Sequence, residues 1–382
     1  MHTRYREKGG EDISVQDELA LLRTGGHEVR QFVVDNPTRV GETIRSLAVS
    51  AWNRQAAREV TRVAKSFRPD VAHVNNTWFA LSPSVLSALR GLNIPTVLTL
   101  RNYRVMCVNG LLFRTGRPCE DCIGKLPYPA IIHRCYHDSA VLSGVAAFSI
   151  ALHHHLETWV KKVDRLIVLS ETSRDKFLAA GFPPQKIVLR EHFSWDTASR
   201  LSPATASNRV LFVGRLSAEK GLEVLLKAWE LAGANSFELL IVGDGPLRLR
   251  LELIAPSNVR FAGLLSSQEV MEHMKTSRAI VVPSMWYETG GRVLIEALAC
   301  GLPVIASDSI GIAKTLEDAG AGWRFSTVEE LAKAICRLED DQLMDAASSA
   351  GQQLFKSRYG PTPALRSLEK IYQEAIESHI QT

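Results

Sequence analysis

Two glutamates eight residues apart could each bind the vicinal hydroxyls of a sugar. Glu288 and Glu296 lie in the segment PSMWYETGGRVLIEALACGLPVIASD, which runs from Pro283 to Asp308. A carboxylate accepts hydrogen bonds from two neighbouring hydroxyls at once. At this separation the pair predicts contacts to two sugars, one hexose and one ribose. The alternative is that both glutamates only place negative charge near the start of a helix, where the helix dipole stabilises it. This alternative is weak for Glu296, because that residue would lie inside an otherwise apolar helix.

Two glycines between these glutamates predict a close approach of the backbone to a ligand. Gly290 and Gly291 have no side chain to keep a ligand away. The amide groups of Arg292 and Val293 would begin a helix, and the positive end of a helix attracts an anion. The segment therefore predicts a site for a negatively charged group.

A second segment, VGRLSAEKG, carries two cations at the corresponding end of another helix. Arg215 follows a predicted strand and Lys220 precedes a predicted helix. Two cations beside the amides of a helix N-terminus suit a diphosphate. The spacing is not that of a P-loop, and the alternative is a pair of solvated surface cations.

Alternating strands and helices would position these segments. In the C-terminal half the apolar, β-branched runs are RVLFVG, ELLIVG, VRFAG, AIVVPS and PVIAS, and in the N-terminal half they are EVRQFVV, DVAHVNN, TVLTLRN, RLIVLS and KIVLRE. Helical patterns separate the runs, which predicts an α/β fold of two doubly wound parallel sheets. A length of 382 residues suits about two domains. Because ligands bind beyond the carboxyl ends of parallel strands, we expect the site in the cleft between the domains.

The predicted domain boundaries follow from composition. We place an N-terminal domain at 1–200, a C-terminal domain at 208–358 and a last helix at 359–382 that packs back on the N-terminal domain. The polar stretch DTASRLSPATASN, from Asp196 to Asn208, would join the domains.

Charge and hydropathy bear on location and partners. Up to Arg200 the chain has 27 Lys and Arg residues and 19 Asp and Glu residues. After Arg200 it has 18 Lys and Arg residues and 22 Asp and Glu residues. The basic half would suit anionic lipid or a phosphorylated acceptor, although a solvated basic surface is equally consistent. The longest apolar run, Ala140 to Leu152, is shorter than the roughly 20 residues that span a bilayer, and we predict a buried helix there. Since no signal-peptide pattern is visible, we expect a cytoplasmic protein.

The motifs GRLSAEKG and VGDGP, with the two-glutamate stretch that closes in EALACGLPVIASD, resemble the retaining glycosyltransferases of family 4, which have the GT-B fold. GGED and PDVAHVNNTW extend the resemblance over nearly the whole chain. It implies transfer of a hexose from a UDP-, GDP- or ADP-sugar, with the anomeric configuration kept, to a polysaccharide, glycoconjugate or lipid-linked acceptor. It also implies no organic cofactor and no nucleic-acid partner, with peripheral contact at the cytoplasmic membrane face.

The resemblance also implies roles for individual residues. The implied donor site consists of Gly9, Gly10, Arg215, Lys220, Glu288, Gly291, Arg292, Val293 and Glu296. Arg215 and Lys220 would neutralise the diphosphate, and Glu288 would contact the hexose, so these three are the implied catalytic residues. Glu296 would accept hydrogen bonds from the ribose. The amides of Gly9 and Gly10 would approach the phosphate.

The chain departs from the family pattern at several positions. Arg101 stands where members commonly have a histidine, and because arginine is not a base we assign it acceptor contact without proton transfer. His73 on the preceding strand is a second acceptor-side candidate, with a satisfied core histidine as the alternative. Gly290 replaces the usual phenylalanine, which predicts a more flexible loop. Met1 to Tyr5 lie where the first strand should be ending, which predicts either a start farther upstream or a gap that destabilises the first sheet.

Four of the six cysteines lie in one predicted insertion, 104–138, which would overhang the acceptor side. Cys107, Cys119, Cys122 and Cys135 could supply four thiolates to a tetrahedral structural zinc ion. Reduced free thiols and disulfides in three pairings are the alternatives, and a cytoplasmic location disfavours disulfides.

The sequence is also compatible in part with other functions. A sugar-nucleotide-binding protein without turnover is one alternative, although the retained cations and glutamates argue against it. An epimerase or phosphorylase on the same scaffold is another, but no acid/base pair for an epimerase is identifiable. A dinucleotide oxidoreductase is disfavoured because VGDGPLR lacks the third glycine of the fingerprint.

Overall fold

The computed structural model describes residues 1–4, 9–36, 49–195, 200 and 203–380. The chain divides into two compact units. The first unit contains Met1–Arg114, Cys119–Glu191 and Leu365–Thr382, and the second contains Thr115–Pro118 and His192–Ala364. Within the predicted linker, residues 196–199 and 201–202 lie outside the described residues.

The described secondary structure alternates between strands and helices. The strands are β1 (His2–Arg4), β2 (Val33–Asp35), β3 (Ala72–Val74), β4 (Thr96–Thr99), β5 (Phe113–Arg114), β6 (Arg117–Pro118), β7 (Arg165–Val168), β8 (Ile187–Leu189), β9 (Arg209–Val213), β10 (Glu238–Val242), β11 (Val259–Gly263), β12 (Ala279–Val282), β13 (Val304–Ser307) and β14 (Gly322–Phe325). The helices are α1 (Gly10–Thr24), α2 (Arg54–Phe67), α3 (Ser84–Gly91), α4 (Pro129–Ile132), α5 (Ala140–His155), α6 (Thr158–Lys161), α7 (Glu171–Ala179), α8 (Leu222–Leu231), α9 (Arg248–Ile254), α10 (Ser267–Thr276), α11 (Arg292–Ala299), α12 (Ala313–Asp318), α13 (Val328–Cys336), α14 (Asp341–Leu354) and α15 (Pro361–Ile380).

Parallel strands form the sheet of the first unit. β3, β4, β7 and β8 are neighbours in that order, β1 pairs with β2, and a bridge between His2 and Asn76 joins the two groups. The C-terminal helix α15 presents Leu368, Ile371 and Ala375 to the core beside Val97 of β4. This spacing of three and four residues places the three side chains on one helical face.

A cavity of about 310 Å³ lies at the N-terminal end of β1. Its lining includes Met1, whose amino group donates a hydrogen bond of 2.6 Å to the carbonyl of His73. Burial lowers the pKa of this amino group to about 6. Strand β1 itself has three residues and pairs in parallel with β2.

The second unit is built on a six-stranded parallel sheet in the order β11-β10-β9-β12-β13-β14. Successive residues of its strands point to opposite faces, and both faces are buried. Val210 and Phe212 of β9 belong to one apolar cluster, whereas Leu211 belongs to the other. A strand covered on both faces requires an apolar run rather than an alternating pattern, which is why RVLFVG indicated this strand correctly. The prediction of two doubly wound parallel sheets is confirmed.

Among the described residues, every helix is too short or too polar to cross a bilayer. The apolar run at Ala140 does form helix α5, but the prediction that this helix is buried was wrong on one face. Val141 and Phe148 are 76% and 64% exposed.

Candidate functional site

The strand order of the second unit places the loops with Arg215, Lys220, Glu288 and Gly291 of the predicted donor site at one edge of the sheet. Strand order reverses between β9 and β12, which are direct neighbours. In doubly wound sheets the loops at such a switch point diverge and leave a crevice for ligands. Arg215 and Lys220 follow β9, while Glu288 and Gly291 follow β12. Two segments far apart in the sequence therefore meet at one edge of the sheet.

Close backbone contacts fix the loop that carries Arg215. A Cβ atom on Gly243 would lie 1.9 Å from the carbonyl oxygen of Gly214, and a Cβ atom on Gly245 would lie 2.5 Å from that of Leu216. The amide of Leu216 also donates to the carbonyl of Asp244 over 2.9 Å. Glycine is required at 243 and 245 because no side chain fits there. The loops after β9 and β10 are thus held together beside Arg215, which is exposed.

Lys220 and Glu288 form an ion pair that the sequence did not predict. The Lys220 Nζ atom lies 3.1 Å from Oε1 of Glu288, and Oε2 accepts a 2.5 Å hydrogen bond from Ser284. The same ammonium lies 5.5 Å from the ring centroid of Trp286, within the range of a cation–π contact. Sequence reasoning missed Ser284 and Trp286, and of these two only Trp286, an aromatic residue two positions before Glu288, offered a signal.

Two glycines in the left-handed region hold this arrangement. Gly221 has φ 70° and a Cβ atom there would lie 1.9 Å from the carbonyl of Pro283. Gly291 has φ 56° and caps the N-terminus of α11. Side chains at both positions would be strained by the backbone angle, and at Gly221 also by the close approach of the other loop.

Glu296 lies one turn inside α11 and pairs with Arg292. The Nε atom of Arg292 donates to Oε1 of Glu296 over 2.7 Å, and the two side chains are 17% and 19% exposed. The pair is an i,i+4 interaction on one helical face. The Glu296 side chain is thus mostly buried near the helix start, where Val293 is partly exposed.

Gly9 and Gly10 begin α1 in the first unit. The amide of Gly9 donates to the carboxylate of Asp12 over 3.2 Å, and Asp12 also pairs with His2 over 2.9 Å. A Cβ atom on Gly9 would have no other atom within 4 Å, so packing among the described residues does not require glycine there. The predicted phosphate approach of these two glycines stays a prediction.

Arg101 is part of a buried ion cluster in the first unit. Glu18 accepts hydrogen bonds from Arg101 over 2.6 Å and from Arg190 over 2.7 Å, and Arg101 also donates to Asn75 over 2.9 Å. Burial acts to raise the pKa of Glu18, but the two guanidinium groups outweigh it and hold the pKa well below its usual range. Arg101 thus has at least two internal partners at the position where the resemblance implied acceptor contact.

Glu11 is a second carboxyl group that sequence reasoning missed. It lies in the first turn of α1 and accepts a 3.3 Å hydrogen bond from Asn102. Burial raises its pKa to about 7, although Arg101 acts in the opposite direction.

His73 has the geometry of a core histidine. Its Nδ1 atom lies 2.8 Å from the hydroxyl of Tyr372, and its Nε2 atom lies 2.7 Å from the hydroxyl of Thr99. Burial lowers the pKa of His73 to about 3. Both ring nitrogens have a hydrogen-bond partner, which agrees with the alternative of a satisfied core histidine.

We expect His73 to make stability depend on pH in the acid range. Because its pKa is about 3 in the folded state and about 6.5 in the unfolded state, only the unfolded state takes up the proton between these values. His73 should therefore contribute a loss of up to about 1.4 kcal/mol in the free energy of unfolding for each unit by which the pH falls below about 6.5. Urea denaturation of the parent and of His73→Gln from pH 7 down to about pH 5 measures this slope.

His27→Gln is the matched control for this prediction, because His27 is 42% exposed beside Glu369. The control should show the same pH dependence as the parent, whereas His73→Gln should lose less stability than the parent between pH 7 and pH 5. Parallel curves for the parent and His73→Gln would contradict the assignment.

The structure gives no support for a metal site at the four clustered cysteines. Among the described residues, no group of three or more His, Cys, Asp or Glu side chains is arranged to hold a metal ion. The thiol of Cys107 donates to Asn109 over 3.0 Å, and all four cysteines are free thiols. Burial raises the pKa of Cys122 to about 12 and that of Cys135 to about 11, and the neighbouring cysteines act in the same direction. The hypothesis of structural zinc at Cys107, Cys119, Cys122 and Cys135 is not supported, and free thiols describe the segment.

Two family models match this chain, one in each of the two units. Residues 9–190 match the family model of the glycosyl transferase 4-like domain, and residues 195–354 match that of the glycosyl transferases group 1. Alpha-D-kanosaminyltransferase from Streptomyces kanamyceticus is 28% identical over 85% of this chain and 83% of its own length. A GDP-mannose-dependent alpha-mannosyltransferase from Mycobacterium tuberculosis is 30% identical over 79% of this chain and 76% of its own.

Solved structures support the fold. HepE from Anabaena in complex with UDP superposes with a TM-score of 0.65 and 18% identity, and the match covers 97% of each chain. This likeness confirms the GT-B fold that the sequence motifs implied. With both family models and a 30% identical mannosyltransferase in agreement, the chain belongs to the group 1 glycosyltransferases of family 4.

Proposed function

We propose that this glycosyltransferase moves a hexose from a nucleotide-diphosphate sugar to a polysaccharide, glycoconjugate or lipid-linked acceptor and retains the anomeric configuration. The observation that carries the proposal is the convergence of Lys220, Glu288 and the N-terminus of α11 at the switch point between β9 and β12. A diphosphate placed there would meet an ammonium group and helix amides, while Glu288 would offer oxygen atoms to sugar hydroxyls.

The chemistry needs charge stabilisation more than covalent help. Cleavage of the bond between sugar and diphosphate leaves negative charge on the departing oxygen and positive charge on the sugar ring. Arg215, Lys220 and the amides of Gly291, Arg292 and Val293 would stabilise the departing diphosphate. The leaving oxygen could then take the proton of the acceptor hydroxyl as that hydroxyl attacks from the same face. Glu296 would orient the ribose.

Binding without turnover is the second candidate, and one experiment separates the two. Purified protein is incubated with UDP-, GDP- and ADP-sugars, and both the thermal stabilisation and the release of nucleoside diphosphate are measured. We expect one nucleotide class to give both signals, and NMR of the product to show the donor's anomeric configuration. Stabilisation without nucleotide release in the presence of a range of saccharide acceptors would favour the binding protein. An inverted product would contradict retention.

Glu296→Ala should weaken donor binding by about tenfold, because a charged acceptor to two hydroxyls is lost. At a donor concentration of about 100 times the parent's Kd, the stabilisation should fall from about 2.7 to about 1.4 kcal/mol. Thermal unfolding with and without donor measures this change.

Glu252→Ala provides the matched control for Glu296→Ala. Glu252 makes the same i,i+4 interaction on α9, with Nε of Arg248 at 2.9 Å, but lies outside the switch-point crevice. It should respond to donor like the parent. If both variants respond alike, Glu296 has no part in donor binding.

A further inference from the structure

A small cavity of the first unit lies where the neighbouring parallel strands β3 and β4 end. Its volume is about 40 Å³, which leaves room for about three water-sized groups. The loops after β3 and β4 form two of its walls, and residues of α5 and α6 form the others. Since ligands of parallel sheets bind beyond the carboxyl ends of the strands, the cavity lies at the edge of this unit where a substrate is expected. Thr77, Trp78, Asn102 and Arg104 in its lining are partly exposed, so solvent reaches part of the lining.

Two tryptophans of the lining carry indole N–H groups that have no acceptor. The Nε1 atoms of Trp78 and Trp159 are both buried, and neither has a hydrogen-bond partner in the part of the chain that the structure describes. Trp159 as a whole is only 5% exposed. An indole N–H group can only donate, and a buried donor without a partner costs free energy. Because both residues line the cavity, an oxygen atom of a ligand there would supply the acceptor that the two donors lack.

Arg104 brings a positive charge to the same cavity. Its guanidinium group lies 5.5 Å from the ring centroid of Trp78, and its Nη1 atom donates to the carbonyl of Val108 over 3.3 Å. Gly110 allows this placement, because a Cβ atom there would lie 2.7 Å from Cγ of Arg104. The side chain is therefore positioned before a ligand binds. The planar fork of N–H donors in a guanidinium group matches the two oxygen atoms of a carboxylate.

The charged groups in and behind the lining leave an excess of positive charge. The lining contains Arg101 and Arg104 but no Asp or Glu. Behind it, Glu18 accepts hydrogen bonds from both Arg101 and Arg190. Three guanidinium groups thus share the negative charge of one carboxylate, and the surplus lies on the side of the cavity where Arg104 stands.

The remaining titratable groups nearby offset this charge only in part. Burial raises the pKa of Glu11 to about 7, so this carboxyl group is only partly ionised at neutral pH. Asp12 pairs with His2 over 2.9 Å. His153 lines the cavity, but both of its ring nitrogens have hydrogen-bond partners and burial lowers its pKa. The cavity therefore favours a ligand group that is anionic and accepts hydrogen bonds.

We infer that this cavity binds a carboxylate group of the acceptor, which is then an acidic saccharide that carries a uronic acid. The carboxylate would accept hydrogen bonds from Arg104 and from the indole groups of Trp78 and Trp159. A carboxylate fits the volume of the cavity, whereas a phosphate monoester, with its additional oxygen atoms, needs more space. The inference rests on the proposed function, because it assigns the class of acceptor that the glycosyltransferase uses.

Binding of methyl glycosides to the full chain, measured by ligand-observed NMR without a donor, tests the inference. Methyl uronides of the gluco, galacto and manno configurations are compared with the neutral methyl glycosides and with phosphate monoesters at the same carbon atom. We expect at least one uronide to bind about tenfold more tightly than its neutral counterpart, because hydrogen bonds to a charged group are the stronger ones. The same uronide should also bind more tightly than the matching phosphate.

Two variants locate the carboxylate in the cavity. Arg104→Met should weaken binding of the preferred uronide by about tenfold and leave binding of the neutral glycoside within about threefold of the parent. Trp159→Phe keeps an aromatic ring without the N–H group and should weaken binding of the uronide by about three- to tenfold. Arg58→Met, at an exposed position of α2, is the control for Arg104→Met. Trp229→Phe is the control for Trp159→Phe, since Nε1 of Trp229 in the second unit is also buried without a partner among the described residues. Both controls should bind the uronide like the parent.

Several results would overturn the inference. These are three uronides that bind no more tightly than the neutral glycosides, a phosphate that binds as tightly as the uronide, or a folded Arg104→Met variant that still prefers the uronide. Thermal unfolding shows that the variants are folded, and Trp159→Phe should be as stable as the parent because the N–H group it removes has no partner in the described protein. Uronide binding without transfer from any donor would contradict the proposed function and leave the carboxylate site in place. Transfer to neutral acceptors only would leave the proposed function in place and contradict the carboxylate site.

Discussion

Replacing Lys220 with methionine should lower kcat on the order of 100- to 1000-fold, the usual effect of removing one electrostatic partner of a transition state. The variant keeps the length of the side chain and loses the charge that would face the departing diphosphate. Lys220 is held at the crevice by Glu288 and by the Trp286 ring, so its ammonium is pre-positioned. Steady-state release of nucleoside diphosphate, with the best donor from the screen, measures the effect.

Controls separate a catalytic role of Lys220 from a structural one. Loss of the ammonium leaves Glu288 with Ser284 as a partner, which should lower the free energy of unfolding by about 1–3 kcal/mol. Lys220→Arg keeps the charge and should retain more activity than Lys220→Met. The double variant Lys220→Met/Glu288→Gln should recover stability without recovering activity. If Lys220→Met turns over normally while folded, the proposed role of Lys220 is wrong.

Glu18→Gln should lower the free energy of unfolding by about 3–5 kcal/mol, because it leaves two buried guanidinium groups without their shared anion. The Arg101 and Arg190 side chains are 2% and 3% exposed, so water cannot replace the carboxylate. Glutamine can accept from one arginine, but its NH2 group would then face the other. Urea denaturation at neutral pH measures the loss.

The pH dependence of this loss has a definite sign. Since the pKa of Glu18 is depressed in the folded state, its stabilisation is fully present above the unfolded-state pKa of about 4.3 and is lost as pH falls through the folded-state pKa. The difference in the free energy of unfolding between the parent and Glu18→Gln should therefore become smaller below about pH 4.3. Glu59→Gln, which changes a carboxylate on α2 that accepts from Gln55, should cost less than about 0.5 kcal/mol. If Glu18→Gln and Glu59→Gln lowered the free energy of unfolding equally, the stabilising role of Glu18 between the two buried arginines would be wrong.

The loops of the predicted donor site could be located from the sequence, whereas the internal partners of Arg101 could not. The loops with Arg215, Lys220 and the two glutamates follow strands whose apolar runs are unmistakable, and parallel strands bring their carboxyl ends to one edge. The positive φ angles of Gly221 and Gly291 likewise appear in the sequence as glycines at helix starts. Arg101 was predicted to contact the acceptor, and its buried partner Glu18, 83 residues away, could not be inferred from the sequence. The cysteine spacing fits zinc in sequence, but the described residues contain no group of three or more side chains arranged to hold a metal ion.

By itself the sequence determined the parallel α/β pattern, the two halves and the loops that carry charge, since these depend on hydrophobic period and on glycine, which act locally. The tertiary structure alone decided which charges neutralise each other. It joined Lys220 to Glu288 across 68 residues and Glu18 to Arg190 across 172. It also decided that the outer face of α5 stays uncovered. Ion pairs and burial depend on how segments far apart in the sequence pack together. A local sequence pattern does not show which of these segments meet.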